Sequence, residues 1–389
     1  MSVATATATA TAAAAKAGGD TRRFRADING LRAIAVTLVL LFHFKVPGFG
    51  GGFVGVDVFF VISGYLMTQI VLAGLDARRF SLWRFYAARA RRIVPALAVM
   101  VIAVCLAGLW LIDPLVYRDM ARAGLASVLF VSNFLYASQA GYFSEAAERN
   151  WFLHTWSLSV EWQFYLLYPL ALMALARAGV RRFGLLLAAA TLLLYAATLW
   201  LFAHGGGRVA TLAFYTVPFR APEMLIGGVV AAWRVPIAAR MAAVVEVAGL
   251  VTILAAALLL DAATPYPHPG PVAAVLGATA VLVADRGRAT LLRPAALQAL
   301  GRWSYSAYLW HWPIIAFYRI AYGLRLSWLD TVLLIAASLV AAALSYRFVE
   351  QPFQKRWRQG RPHKVVVVGG LAMAASVALA WVAADRLGG

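Results

Sequence analysis

Runs of about 20 apolar residues recur along this chain, and a run of that length is what an α-helix needs to cross a ~30 Å hydrocarbon core. They fall near 31–49, 53–73, 94–112, 156–176, 184–203, 214–233, 243–260, 270–285, 300–321, 328–346 and 365–383. Lipid offers backbone groups no water to bond, so such runs must be helices that satisfy their own hydrogen bonds. The sequence therefore predicts an all-α, polytopic helical membrane protein with 11 transmembrane helices. Composition agrees: 63% of residues are hydrophobic and 13% charged, against about 25% charged in a soluble domain. Cys105, the sole cysteine, lies in an apolar run, which excludes an intrachain disulfide and a Cys-rich zinc site.

The formal net charge is +19. In a soluble protein that would point to nucleic acid. Here the cations sit in short segments between apolar runs, at 16–32, 78–92, 177–182, 234–240, 286–302 and 347–364. That is a topology signal, and no nucleic acid is implied. With eleven crossings and a cytoplasmic N-terminus, every cluster is cytoplasmic, as the positive-inside rule prefers. A further apolar stretch at 121–137 would send all later clusters outside if it crossed. It is expected to be re-entrant or to lie on the outer surface, followed by an outer loop at 138–155 carrying Glu145 and Glu148. The chain divides into a tail (1–23), a membrane domain (24–353) and a basic loop with one more span (354–389). The first 20 residues are an Ala/Thr-rich low-complexity stretch, expected to be disordered, without the apolar core and basic flank of a secretory signal. Short loops leave no room for a soluble catalytic module, so any chemistry is expected within or beside the membrane. No internal repeat is evident, which weakens a transporter built from inverted halves.

Ionisable side chains inside spans are costly and mark function by default. Arg32 and His43 in the first span are eleven residues apart, which puts them about 20° from one face and about 16 Å apart along the axis. If Arg32 sits at the inner surface, His43 lies near mid-membrane. The plain alternatives are a positive-inside anchor for Arg32 and a hydrogen-bonded core histidine for His43. Asp57 in the second span is a candidate to orient His43, or else the partner of a nearby Arg. The segment Arg84-Phe85-Tyr86-Ala87-Ala88-Arg89-Ala90-Arg91-Arg92-Ile93-Val94-Pro95 reads as a cationic loop beside the membrane. Its guanidinium groups suit the phosphates of coenzyme A, anionic lipid, or no ligand at all.

His154 and Glu161, seven residues apart, also share one helix face. Trp156 and Trp162 suit either the interfacial aromatic belt or stacking on a sugar ring. Arg220 and Glu223, at i and i+3, read as an ion pair that glues helices together. His311 is a second intramembrane histidine. His204, His268 and His363 lie in loops. No group of these residues has metal-ligand spacing, so no metal is expected.

Taken in order, these segments resemble the acyltransferase-3 family of bacterial integral membrane proteins. The resemblance runs from about Phe24 to Phe353. It rests on Arg32 and His43, the 55–64 segment around Asp57, Arg89-Ala90-Arg91-Arg92, the 156–165 segment around Glu161, Arg220 with Glu223, the 304–313 segment around His311, and Arg347-Phe348-Val349-Glu350-Gln351-Pro352. It implies an O-acyltransferase of the bacterial inner membrane that moves an acyl group, usually acetyl from acetyl-coenzyme A, to sugars of surface polysaccharide, lipopolysaccharide or peptidoglycan. Some members act on small molecules. It also implies that Arg32, His43 and the Arg-rich segment are functional positions. Many polysaccharide-modifying members continue past an eleventh span into an extracytoplasmic domain. This chain stops there, which leaves a separate extracytoplasmic partner as an expectation.

The residues and the resemblance meet in one expected site. Arg32, Arg89, Arg91 and Arg92 hold the acyl-coenzyme A donor. His43 is general base or acyl carrier, with its tautomer set by Asp57 or Glu161. Trp156, His154 and His311 face the carbohydrate acceptor. The rival readings are a small-molecule acyltransferase on the same scaffold and a transporter or flippase of an acyl or lipid-linked carrier.

Overall fold

The structure, a computed structural model, describes residues 24–139, 150–233, 235–261, 263–264 and 269–358. The expectations for the 1–23 tail, for Glu145 and Glu148, for His268 and His363 and for the 365–383 span lie outside the described residues. Among the described residues every regular element is helical and no strand occurs. Seven helical stretches among the described residues are long and apolar enough to cross a membrane: Ala26–His43, Gly52–Asp76, Leu82–Leu111, Thr155–Arg177, Phe183–Gly206, Ala239–Leu259 and Trp328–Lys355.

The first helix, α1 (Ala26–His43), ends where Val46-Pro47-Gly48 turns the chain, six residues before the expected limit of 49. A 3₁₀ turn at Gly52–Val54 leads into α2 (Gly55–Asp76). Next comes α3 (Leu82–Leu111), 30 residues long. Its first turns contain the segment read as a cationic loop. Ser81 caps it by accepting the Arg84 backbone N–H at 3.4 Å, and the helix continues through Pro95. Ala and Arg are strong helix formers. A hydropathy rule counts only apolar residues, so it starts this helix about 12 residues late.

The 121–137 stretch forms no single helix. It falls within α4 (Pro114–Val128) and α5 (Ser132–Ala137), broken at Phe130, whose φ is 56°. These are about 22 and 9 Å long, too short to cross alone. After 150 come α6 (Thr155–Arg177), α7 (Phe183–Tyr215, kinked at Gly206), α8 (Val217–Trp233), α9 (Ala239–Leu259), α10 (Pro269–Ala284), α11 (Ala295–Tyr322), α12 (Trp328–Ser345), a π turn at Tyr346–Glu350 and α13 (Gln351–Arg358). The break between α4 and α5 is pinned against α6. Gln163 Nε2 donates to the Phe130 carbonyl at 2.9 Å, and the Ser132 and Ser159 hydroxyls are 2.8 Å apart.

Packing depends on glycines where helices cross. A Cβ at Gly64 on α2 would sit 1.7 Å from the Met224 carbonyl oxygen on α8, and one at Gly227 would sit 2.0 Å from the Val61 oxygen. Only hydrogen fits, so these two backbones touch. α1 and α11 pack side by side, with Asn29 Nδ2 donating to the Gln298 carbonyl at 2.9 Å. Two buried apolar clusters surround α1 and α2. Large apolar residues such as Leu192, Leu193 and Trp200 on α7 point outward instead, as a lipid-facing surface requires.

Candidate active site

A cavity enclosing about 90 Å³, space for a few water-sized groups, lies between α1, α2, α3, α6 and α11. One wall is apolar, with Phe59, Phe60, Ile62, Leu66 and Met67 from α2. The other is polar, with Arg32 from α1, Arg89 and Arg92 from α3, Glu161 and Tyr165 from α6, and Tyr305 and Tyr308 from α11. Helical period explains the cationic wall, because Arg89 and Arg92 are three residues apart and share a face. Arg91 falls between them and does not line the cavity. Glu161 is held by the hydroxyls of Ser63 and Tyr165, the latter at 2.5 Å. Three guanidinium groups against one carboxylate leave net positive charge. Arg89 Nε is buried without a hydrogen-bond partner among the described residues. Arg32 and Arg92 likewise donate no hydrogen bond to a described residue. Such a wall fits a phosphate-bearing ligand.

His43, at the end of α1, is buried and lies about 16 Å along the axis from Arg32. Its Nδ1 is 2.9 Å from His311 Nε2. The His311 Nδ1 is 2.7 Å from the Tyr308 backbone carbonyl. A carbonyl only accepts, so the His311 proton is on Nδ1 and its Nε2 accepts from His43 Nδ1–H. In a neutral pair the lone pair of His43 is then on Nε2. Trp312 meets the His43 ring edge-on at 4.7 Å, and Arg319 donates to the His43 backbone carbonyl at 2.9 Å. The site is a packed pocket of rings, with His154 also buried and 5.7 Å from His311 between ring centres.

Several expected pairings do not form. Neither Asp57 nor Glu161 sets the His43 tautomer; His311 occupies that position. Asp57 is ion-paired with Arg220, which also bonds Glu223 at 3.1 Å. Trp156 does not present a face to a sugar. It is 1% exposed and lies 5.5 Å from the Arg220 guanidinium, which also contacts Phe60 and Phe214. Burial of a charge demands compensating partners of this kind. Glu350, carried by the π turn after α12, accepts from Ser306 on α11. His204 stacks on Trp200 and bonds its carbonyl at 2.7 Å.

Sequence reading passed over Ser63, Tyr308 and Arg319. Arg319 carried a usable signal, a cation inside an apolar helix, eight residues past His311. Ser63 and Tyr308 are unremarkable types in a span, and only the fold shows that they face the cavity.

Residues 25–347 match the family model described as an acyltransferase domain, the third of that name. The chain belongs to the acyltransferase-3 family. It is 30% identical over 361 residues to the peptidoglycan O-acetyltransferase OatA of Listeria monocytogenes, covering 86% of this chain and 56% of that protein. It is 33% identical over 332 residues to BcsY of Komagataeibacter xylinus, provisionally named a membrane-bound transacylase, covering 84% of this chain and 82% of that one. To the O-acetyltransferase OatA of Staphylococcus aureus it is 28% identical over 351 residues, covering 86% and 58%. The chain thus spans little more than half the length of the OatA proteins it matches. No solved structure matches it. Membership makes this multi-pass membrane protein an acyltransferase-3 domain, and it sets the cavity and the histidine pair within a family whose chemistry is acyl transfer.

Proposed function

We propose that this acyltransferase-3 protein transfers an acyl group, acetyl first among them, from acyl-coenzyme A at the cytoplasmic face to a hydroxyl of an extracytoplasmic carbohydrate. The observation that carries this reading is the His43–His311 contact, with His311 locked by the Tyr308 carbonyl. It fixes the His43 tautomer, with the ring lone pair on Nε2, the form in which an imidazole acts as a general base. The cationic cavity below it suits the donor's phosphates. The separation of about 16 Å between Arg32 and His43 is comparable to an extended pantetheine arm, so a donor held at the arginines brings its thioester toward His43.

In the reaction, His43 Nε2 takes the proton of the acceptor hydroxyl as its oxygen attacks the thioester carbonyl. The carbon–sulfur bond then breaks, and Nε2 returns the proton to the departing thiolate. His311 cannot carry that proton onward, because its Nδ1–H is committed to a carbonyl. The proton therefore enters and leaves through one nitrogen. The Arg319 guanidinium, held at the His43 backbone, is the cation available to the developing oxyanion.

Placement in the bacterial inner membrane with a cytoplasmic N-terminus belongs to the same proposal and rests on the distribution of Lys and Arg. The acceptor is reached directly or through a separate extracytoplasmic partner. Reconstitution in liposomes, with labelled acetyl-coenzyme A supplied on one side and a soluble polysaccharide fragment on the other, tests the reading. Labelled ester on the fragment with stoichiometric free thiol supports it. Movement of intact substrate without thiol release would make the protein a transporter.

A further inference from the structure

The cavity stops short of the histidines. His43 does not line it, and His43, His154 and His311 are at most 5% exposed. Tyr308 and Ser157 stand at the boundary. Both line the cavity. The Tyr308 hydroxyl donates to the His154 backbone carbonyl at 2.7 Å and lies 2.7 Å from Ser157 Oγ. Its ring meets Phe59 of the apolar wall edge-on at 6.5 Å. One turn along α11, the backbone carbonyl of this same residue holds His311. Tyr308 is thus a side chain that closes the cavity and a backbone that fixes the base.

We propose that Tyr308 is a gate, latched by Ser157 and the His154 carbonyl, that separates the arginine-lined cavity from His43 and swings aside to admit the thioester arm of the donor. The inference rests on the proposed function for the identity of what passes. The closed arrangement keeps cytoplasmic water from the imidazole, so a bound thioester is not hydrolysed before an acceptor is present. It also prevents a continuous wet path for protons across the bundle. Two hydrogen bonds and ring contacts with Phe59, His154 and His311 hold the latch, and its release is a side-chain motion of the gating kind. The His311 lock is made by the Tyr308 backbone carbonyl, so this hydrogen bond stays in place when the side chain moves.

Thiol accessibility tests this without depending on catalysis. In a Cys105→Ala background, His43→Cys is exposed to methanethiosulfonate ethylammonium from the cytoplasmic face of inside-out vesicles. Ser63→Cys, on the cavity wall, is the reference and reacts in every background. With Tyr308 intact, modification of His43→Cys is slow. Adding Tyr308→Ala speeds it by about ten-fold or more, because a minor open state of roughly 0.1–10% becomes the dominant one. Adding Ser157→Ala, which loosens the latch but keeps the ring, also speeds it and serves if Tyr308→Ala fails to fold. Equal rates with and without Tyr308 or Ser157 would overturn the gate. So would a Ser63→Cys thiol that does not react, since the cavity would then not open to the cytoplasm. Lost acyl transfer with the accessibility pattern intact would sink the proposed reaction and leave the gate standing.

Discussion

His43 Nδ1 and His311 Nε2 meet at 2.9 Å across 268 residues of sequence. In the proposed reaction the contact makes His311 a positioning residue, since its own proton is held by the Tyr308 carbonyl. Replacing His311 by Ala should lower kcat by about 10–100-fold, less than the roughly 10²–10⁴-fold that acid–base catalysis itself contributes, with donor KM little changed. Loss of the oriented tautomer should also broaden the pH–rate profile. A rise in KM with unchanged kcat would assign His311 to binding instead.

In the proposed reaction, transfer depends on His43. His43→Gln keeps a hydrogen-bonding side chain toward His311 but cannot exchange a proton near neutral pH. Turnover should fall by about 10²–10⁴-fold, while the protein still inserts and binds donor. Near-normal transfer by the Gln variant would make His43 structural.

The arginines separate into two kinds. Arg32 and Arg92 line the cavity and Arg91 does not. Removing Arg32 and Arg92 together should weaken acyl-coenzyme A binding by about 100-fold or more, as each charge-assisted bond contributes about 1.5–3 kcal/mol. Arg91→Ala should change affinity by less than about three-fold. Calorimetric titration of the purified protein measures both, and equal losses from Arg91 and from the pair would refute the cavity as donor site.

Asp57 and Arg220 form a buried ion pair, 3% and 2% exposed. Breaking such a pair from one side costs about 3–5 kcal/mol. Asp57→Ala should therefore lower the melting temperature in detergent and the yield, while the molecules that fold keep their turnover. A normal melting curve with lost activity would return Asp57 to the catalytic machinery.

Gly64 should tolerate no side chain. Its missing Cβ would lie 1.7 Å from the Met224 oxygen, so Gly64→Ala must push α2 and α8 apart. Overpacking of this kind costs about 1–3 kcal/mol. Thermal unfolding reads it, and an unshifted curve would mean that the two backbones do not touch.

Read alone, the chain discloses much that depends on one helix at a time, though not the polar first turns of α3. Its hydropathy gave the membrane class, and the 3.6-residue period put Arg32 and His43 on one stripe before any fold was known. The expectation that 121–137 does not cross came from the charge distribution alone, and α4 and α5 are each too short to cross by themselves. The ordered set of motifs pointed to the family that residues 25–347 match.

Contacts between helices were the part decided in three dimensions. Asp57 had two plausible partners by sequence, His43 and an arginine, and packing of α2 on α8 brought it Arg220. By sequence Asp57 or Glu161 was to orient His43, with His311 at the acceptor. The parallel packing of α1 on α11 selected His311, while Glu161 turned into the arginine-lined cavity. Trp156, expected at a sugar, was drawn over the buried guanidinium. The physical reason is the same in each case. A helical period fixes the direction of a side chain about its own axis, but the rotation and offset of one helix against its neighbours come from close packing, which no single segment encodes.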